Sequence, residues 1–225
     1  MYVFRRIFLM FPIIAFCISA SADEIPIGWI GPLTGNSAVL GVDSVKTISM
    51  VFGKVNSKGG IGGRKLRLVA EDDQYQTAKS LTAYRKLVAV DGARFIFVIT
   101  YGGLFALADA AERDKVILVD PLDCDEKIAA LNKYVLCVAK TTESLGTIAA
   151  ERAVRDNHLP AAIAYLEGDP FPKVTAEHAK DRLVKLGAEP VIFEGYQSGA
   201  SDFRALIGRM KKAGAKSLFM YGYDE

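Results

Sequence analysis

Apolar residues along the chain follow two alternating rhythms. Runs rich in β-branched and aromatic side chains occupy Ile25 to Ile30, Lys65 to Ala70, Arg94 to Ile99, Val116 to Val119 and Tyr134 to Val138, and each reads as a strand. Between most of them the apolar positions step by three and four: Val45, Ile48, Phe52 and Val55, then Leu81, Tyr84 and Val88, then Leu104, Leu107, Ala108 and Ala111. Each set lines one face of a helix. Alternation of strand and helix predicts a parallel sheet covered by helices on both faces. The rhythm repeats after Thr141, with a helix over Glu143 to Asn157, strands at Ala161 to Leu166, Pro190 to Glu194 and Ser217 to Tyr221, and stripes at Ala176, Ala179, Leu183, Leu186 and at Phe203, Leu206, Ile207, Met210. A second α/β unit is therefore expected. The stretch from Ala139 to Glu143 contains neither Pro nor Gly, which suits a crossover between two units better than a flexible linker.

The segment ahead of the first strand has a different character. Arg5 and Arg6 precede an almost wholly apolar Ile7 to Ile18, and Ala20-Ser21-Ala22 follows. Basic start, apolar middle and small-residue end describe a secretory signal peptide over residues 1–22. A membrane anchor would need about 20 apolar residues, and a lipoprotein anchored at Cys17 would not place bulky Phe16 before it. Of the 225 residues, 51% are hydrophobic and 24% charged, with 28 Lys and Arg against 26 Asp and Glu. That mixture supports a folded core rather than disorder. Loss of Arg5 and Arg6 balances the charges, leaving no basic field for nucleic acid. Export also leaves two cysteines, Cys124 and Cys137, in an oxidising compartment where thiols pair. A disulfide is expected, with free thiols or a metal site as the alternatives; His158 and His178 stand alone, so no metal ligand set is assigned.

Candidate chemistry is sparse. Gly31-Pro-Leu-Thr-Gly35 lacks the spacing of a dinucleotide loop, and no cofactor is expected. Gly59-Gly60-Ile61-Gly62-Gly63 follows a helix and precedes a strand, the order of a helix C-cap and turn. Glu71-Asp72-Asp73 ends the second strand; paired carboxylates could do acid and base work, or cap the next helix. No nucleophile elbow or zinc-binding helix is present, so the chain is not read as an enzyme. Tyr101-Gly102-Gly103 follows the third strand, where open α/β sheets hold ligands; the glycines would let a ligand reach backbone amides, or simply make a turn. Trp29 and Tyr165 read as core or cleft wall.

Three stretches make the outline more specific: IPIGWIGPLTGNSAVLG, VNSKGGIGGRKLRLVAEDDQYQTAKS and GASDFRALIGRMKKAGAKSLFMYGY. Taken in order, Pro-Leu-Thr-Gly, Asn-x-x-Gly-Gly-Ile-x-Gly, Asp72-Asp73 and Asp202-Phe203 resemble the extracytoplasmic solute-binding proteins of branched-chain amino acid ABC transporters, from about Glu24 to the end. The resemblance implies the two-lobed type I periplasmic-binding-protein fold, each lobe a parallel sheet flanked by helices, with an N-terminal lobe over 23–140 and a partial second lobe over 141–225. It implies capture of a small amino acid, amide or related organic acid between hinged lobes in the periplasm, and delivery to a membrane permease. A periplasmic ligand sensor of the same fold is the alternative function.

The family's ligand residues carry over only in part. The loop after the third strand and the step after the fourth correspond to Tyr101, Gly102, Gly103 and to Leu122, Asp123, Cys124, where the family's hydroxyls are missing. Phe171 matches an aromatic of the second lobe and Tyr223 a tyrosine after the last strand, whereas Leu40 replaces a first-loop tyrosine. Asp123 would favour a cationic group if it faces the cleft, or cap a short helix over Glu126 to Leu131 if it does not. Family members extend well past the point matched by Tyr223. The second lobe is therefore expected to be incomplete, with apolar faces uncovered and a sheet edge unprotected, and the chain alone to be a fragment that binds ligand weakly or not at all.

Overall fold

The structure, a computed structural model, describes residues 24–35 and 37–223; the leader expected over 1–22 lies outside them. Strands β1 (Ile25–Gly31), β2 (Leu66–Asp72), β3 (Phe95–Val98), β4 (Ile117–Asp120) and β5 (Val135–Cys137) form a parallel sheet in the order β2-β1-β3-β4-β5. The chain winds outward to β2, then returns across β1 to β3. All five strands end at one edge, and the reversal between β1 and β3 opens a crevice there. Helices α1 (Ala38–Ser57), α2 (Thr77–Ala89), α3 (Tyr101–Asp114) and the single turn α4 (Glu126–Ala129) make the connections. After α5 (Thr142–Arg155), a second parallel sheet, ordered β7-β6-β8, is built from β6 (Ala161–Leu166), β7 (Ile192–Tyr196) and β8 (Ser217–Tyr221), with α6 (Pro170–Lys185) and α7 (Arg204–Lys212) between them.

Local chemistry explains the element ends. Asp125 accepts from the Ile128 amide and starts α4, Thr141 accepts from Ser144 and starts α5, and Asp169 with Pro170 behind it starts α6; these are the N-cap and first-turn preferences of such residues. Past the end of α1, Gly60 sits at φ +76° with the Arg64 carbonyl only 2.0 Å from where a Cβ would be. The turn into β2 thus has room for glycine alone.

One face of the first sheet is closed by α2 and α3 over Ile30, Ile96, Val98, Leu118 and Val135. The opposite face is covered by α1, as the alternation predicts, but only in part. Trp29 is fully buried there and donates to Ser44 of α1 at 3.0 Å, but Ile117 and Leu136 remain 38% and 47% exposed. A single helix about 10 Å wide cannot roof five strands spanning roughly 19 Å, and a shallow apolar groove of about 390 Å³ lies between Leu40 and Ile48 of α1 and Phe97 of β3. In the second sheet Ile163 packs with Ala176, Ala179 and Leu183 of α6. Leu218 and Met220 of edge strand β8 stay 41% and 46% exposed, the uncovered face and edge anticipated from the sequence.

Cys124 and Cys137 form a disulfide across the loop that carries α4. Beside it the Thr142 amide donates to the Cys124 carbonyl at 2.9 Å, so the crossover between the sheets is tied to the cross-linked loop. The bridge closes a loop of 13 residues' separation. Cys124→Ser with Cys137→Ser is expected to cost roughly 3 kcal/mol through the freed unfolded chain, read as a lowered urea midpoint that the oxidised protein does not show.

Candidate functional site

The carboxyl ends of β1, β2, β3 and β4 face those of β6 and β8, and the loops at these ends make a cleft. Its shape begins with the acidic pair after β2. Asp72 accepts from the amides of Leu33 and Gln74, at 2.8 and 2.9 Å, and from the hydroxyl of Thr34 at 2.5 Å. Burial, the largest single influence, pushes its carboxyl up, but the Thr34 hydroxyl and the backbone amides together outweigh it and hold the carboxyl below the usual carboxylate range. Asp73 is fully buried and accepts from Ser80 and Thr100 hydroxyls, both at 2.6 Å, and from the Tyr75 amide at 2.9 Å. The reading of this pair as a helix cap is therefore corrected. Gln76, not an aspartate, precedes α2, and no side chain caps it; the two carboxylates instead pin the loops after β1, β2 and β3 to one another.

That pinning holds Gln74 and Tyr75 at φ +54° and +58°, a left-handed conformation that non-glycine residues adopt only under constraint. It turns the Tyr75 phenol toward the second sheet. The Tyr75 and Tyr223 hydroxyls are 2.9 Å apart, and Tyr223 donates to Asp169 at 2.8 Å. Since the Tyr223 proton goes to Asp169, Tyr75 is the donor to Tyr223, and a directed chain of hydrogen bonds crosses the mouth of the cleft. Deeper in, the ring of Tyr101 meets that of Phe171 edge to face, 5.8 Å between centroids, and its hydroxyl donates to Asp125. Burial first, then neighbouring carboxylates for Tyr75 and Tyr101, and Tyr75 followed by the carboxylates for Tyr223, push all three phenols well above their ordinary range. They stay protonated and act as donors.

The cleft has a volume of about 380 Å³, within the size range of small-molecule sites. Gly35, Ser37, Gln74, Tyr75 and Gln76 line it from one side; Leu166, Glu167, Gly168, Asp169, Ser198 and Tyr223 line it from the other. Asp123, which is not among the lining residues, is 1% exposed, and its Oδ2, like Oδ2 of Asp120, lacks a hydrogen-bond partner. It does not cap α4; Asp125 does that. Burial, then Asp120, Asp169 and Asp125 in that order, push its carboxyl up to about 8. Burial pushes Asp120 up to about 7 against the Asp123 and Leu122 amides that donate to it.

Of the residues singled out from the sequence, Tyr223 lines the cleft, Tyr101 and Phe171 close on each other across the seam, and Asp123 is buried outside the lining. Gly102 and Gly103 lie in the first turn of α3. A Cβ on either would lie 2.5 Å from the Thr77 hydroxyl or 2.6 Å from that of Ser80, so their smallness lets α3 approach α2. Leu122 is 40% exposed, outside the cleft lining, its amide donating to Asp120 at 2.9 Å. Sequence reading missed Gln74-Tyr75-Gln76 and Glu167-Gly168-Asp169; both runs directly follow a strand's carboxyl end, which is the signal that could have found them.

Two parallel sheets with facing carboxyl edges and a cleft between them, bridged by Tyr75 and Tyr223, define a two-lobed α/β fold. The chain belongs to the periplasmic binding protein family, whose sequence profile matches residues 24–224. It is similar to a Leu/Ile/Val-binding protein homolog of Brucella abortus, 24% identical over 204 residues covering 90% of this chain and 55% of the relative. The Leu/Ile/Val-binding protein of Escherichia coli is likewise 24% identical, over 93% of this chain and 58% of its own length. Among solved structures, the branched-chain amino acid transporter substrate binding protein of Streptococcus pneumoniae, in complex with isoleucine, superposes with a TM-score of 0.80 at 21% identity, covering 89% of this chain and 57% of that one. A solute binding protein from Rhodopseudomonas palustris, in complex with 3,4-dihydroxy benzoic acid, gives 0.76 at 20% identity, over 88% of this chain and 54% of that one. The chain thus spans little more than half the length of the relatives it matches.

Proposed function

We propose that this chain supplies both walls of the ligand cleft of a solute-binding protein of an ABC transporter, with a first lobe over 23–140 and a second over 141–225. The lobes grip a small amino acid, amide or related organic acid and present it to a membrane permease. The compartment is the periplasm, reached through removal of residues 1–22. Tyr101, Asp123, Phe171 and Tyr223 are the proposed contacts; Gly102 and Gly103 at the start of α3 and Leu122 after β4 shape the backbone beside them. The observation that carries this reading is the hydrogen-bond chain from Tyr75 through Tyr223 to Asp169, which joins residues after β2 to residues after β6 and β8 over the cleft.

A clamp of this kind binds its ligand more tightly when closed, and the ligand shifts the lobes toward that state. The test is an NMR titration of the mature chain with leucine, isoleucine, valine, alanine, threonine and 4-hydroxybenzoate at millimolar concentrations, which registers weak binding. Saturable shifts confined to Gly35, Gln74 to Gln76, Glu167 to Asp169 and Tyr223 are expected with at least one compound. Saturable shifts centred elsewhere, or turnover of any compound, would overturn it.

A further inference from the structure

Resting on that two-lobed reading, we propose that the Cys124–Cys137 disulfide is a clasp that seats the hinge, and that its reduction sets the second lobe loose. The bridge ties the end of β5 to the start of the loop that carries α4. From that start, two contacts lead to the second lobe. The Cys124 carbonyl accepts from the Thr142 amide at 2.9 Å, and Cys124 pairs with Thr141 in an isolated parallel bridge at the entry to α5. The next residue, Asp125, accepts from the Tyr101 hydroxyl, and the Tyr101 ring meets Phe171 at the start of α6, 5.8 Å between centroids.

The rest of the loop has anchors of its own. Ile128 is fully buried in the first core, and the Asn132 side chain donates to the Ala108 carbonyl of α3 at 3.0 Å. Ahead of Cys124, by contrast, Pro121 is exposed and Leu122 is 40% exposed, so neither apolar side chain fastens this stretch. The amides of Leu122 and Asp123 donate to Asp120 Oδ1, both at 2.9 Å, which shapes a turn without tying it to a neighbouring element.

Polar atoms buried at the same place pull the junction open. Oδ2 of Asp120, Oδ2 of Asp123 and Oγ1 of Thr142 meet no protein partner, although their residues are at most 1% exposed. Such atoms favour any opening that wets them. All lie along the junction: Asp120 opposite Cys137 in the β4–β5 register, Asp123 beside Cys124, and Thr142 on the Cys124 carbonyl. Pinned to β5, the start of the loop stays with the first lobe, and the lobes turn about the crossover from Val138, itself 71% exposed, to Thr141. Unpinned, residues 120–125 follow the second lobe, water reaches the buried atoms, and the pivot loses its seat. A dithiol reductant does the unpinning. One of its thiolates attacks Sγ of Cys137, the less buried of the pair; the S–S bond breaks, and Cys124 leaves as a thiolate and takes up a proton. The reductant's second thiol then displaces Cys137, so that the reductant ends as a disulfide and the protein as two thiols.

The test needs no ligand. Residual dipolar couplings and relaxation dispersion of backbone amides are measured on the mature chain when oxidised, when reduced with dithiothreitol and when reoxidised, dispersion being sensitive to the microsecond-to-millisecond range of hinge motions. Reduction is expected to bring a loss of alignment of the second lobe relative to the first and new dispersion at Asp123, Cys124 and Thr142, all reversed on reoxidation. Leu183→Ala, which destabilises the chain from the core under α6 instead, should show neither change, and this separates a hinge clasp from a bridge that only stabilises. If the reduced chain unfolds, Cys124→Val with Cys137→Ala, which refills the place of the bridge with apolar atoms, is measured in its stead with the same expectation; unfolding of that variant too overturns the proposal, because a bridge on which the whole fold depends is no hinge device. Unchanged alignment and dispersion on reduction, or the same changes in Leu183→Ala, overturn the clasp alone. A chain that binds none of the titrated compounds overturns the binding reading and leaves these measurements as they stand.

Discussion

Asp73→Ala is expected to lower unfolding stability by about 2–4 kcal/mol, because it strands a backbone amide and two hydroxyls that are buried and made for one carboxylate. The bonds from Ser80 and Thr100 at 2.6 Å and from Tyr75 at 2.9 Å have no other acceptor of comparable geometry. The damage should also reach the site. Tyr75 holds its left-handed conformation through this carboxylate, and without it the loop relaxes and the phenol leaves Tyr223. The variant should therefore lose both several degrees of melting temperature and the slow amide exchange of Gln74 to Gln76. Asp73→Asn, which keeps one acceptor oxygen, should lose less of each. Equal stability of Asp73→Ala and the parent in urea would contradict this role.

Stability should fall as pH rises from about 5 to 8, the reverse of the usual behaviour of acids in folded proteins. Burial raises the carboxyls of Asp120 and Asp123 to about 7 and about 8 from 3.8. Between 3.8 and those values the folded protein keeps protons that the unfolded chain has released. Unfolding then releases protons, and each one makes stability drop by about 1.4 kcal/mol per pH unit as pH rises. The loss is complete once pH passes the folded value, so the curve flattens above about 8. Asp73 is raised by burial in the same sense, whereas Asp72, held low chiefly against its own burial by Thr34 and backbone donors, loses its contribution only in acid below this window. Asp123→Asn removes one of the two protons: it should roughly halve the slope and stabilise the ligand-free chain at pH 8 by about 1–3 kcal/mol. Chemical denaturation at pH 5.5 and 8.5 checks this; a stability that climbs over that interval would refute it.

Much of the fold was legible because its signals are local. Each strand was visible as an apolar run and each long helix but α5 as a stripe, and Ala161 to Leu166 and Ser217 to Tyr221 coincide with strands β6 and β8. The incomplete roof over Ile117 and Leu136 was not legible: a parallel sheet's strands are apolar on both sides, whichever face is covered. The site was harder. Asp72 and Asp73 looked like helix caps because caps and loop pins use the same residues in the same places; only the partners, Leu33, Thr34 and Thr100, distinguish them, and these are distant in sequence. Asp123 offered two readings of equal standing until Asp125 took the cap. Gly102 and Gly103 drew attention as open backbone, yet their hydrogens face Thr77 and Ser80, a contact between two helices that no sequence window contains.

The central claim, that two lobes close over a small ligand, is tested most directly by distance. Spin labels at Arg85→Cys on α2 and Glu177→Cys on α6, both exposed, report the separation of the lobes in the mature chain by pulsed electron spin resonance. With saturating ligand, using the tightest binder of the titrations, the distance distribution should narrow and shift to shorter values, and Tyr75→Phe with Tyr223→Phe should blunt the shift. A distribution unchanged between free and saturated protein would contradict the account.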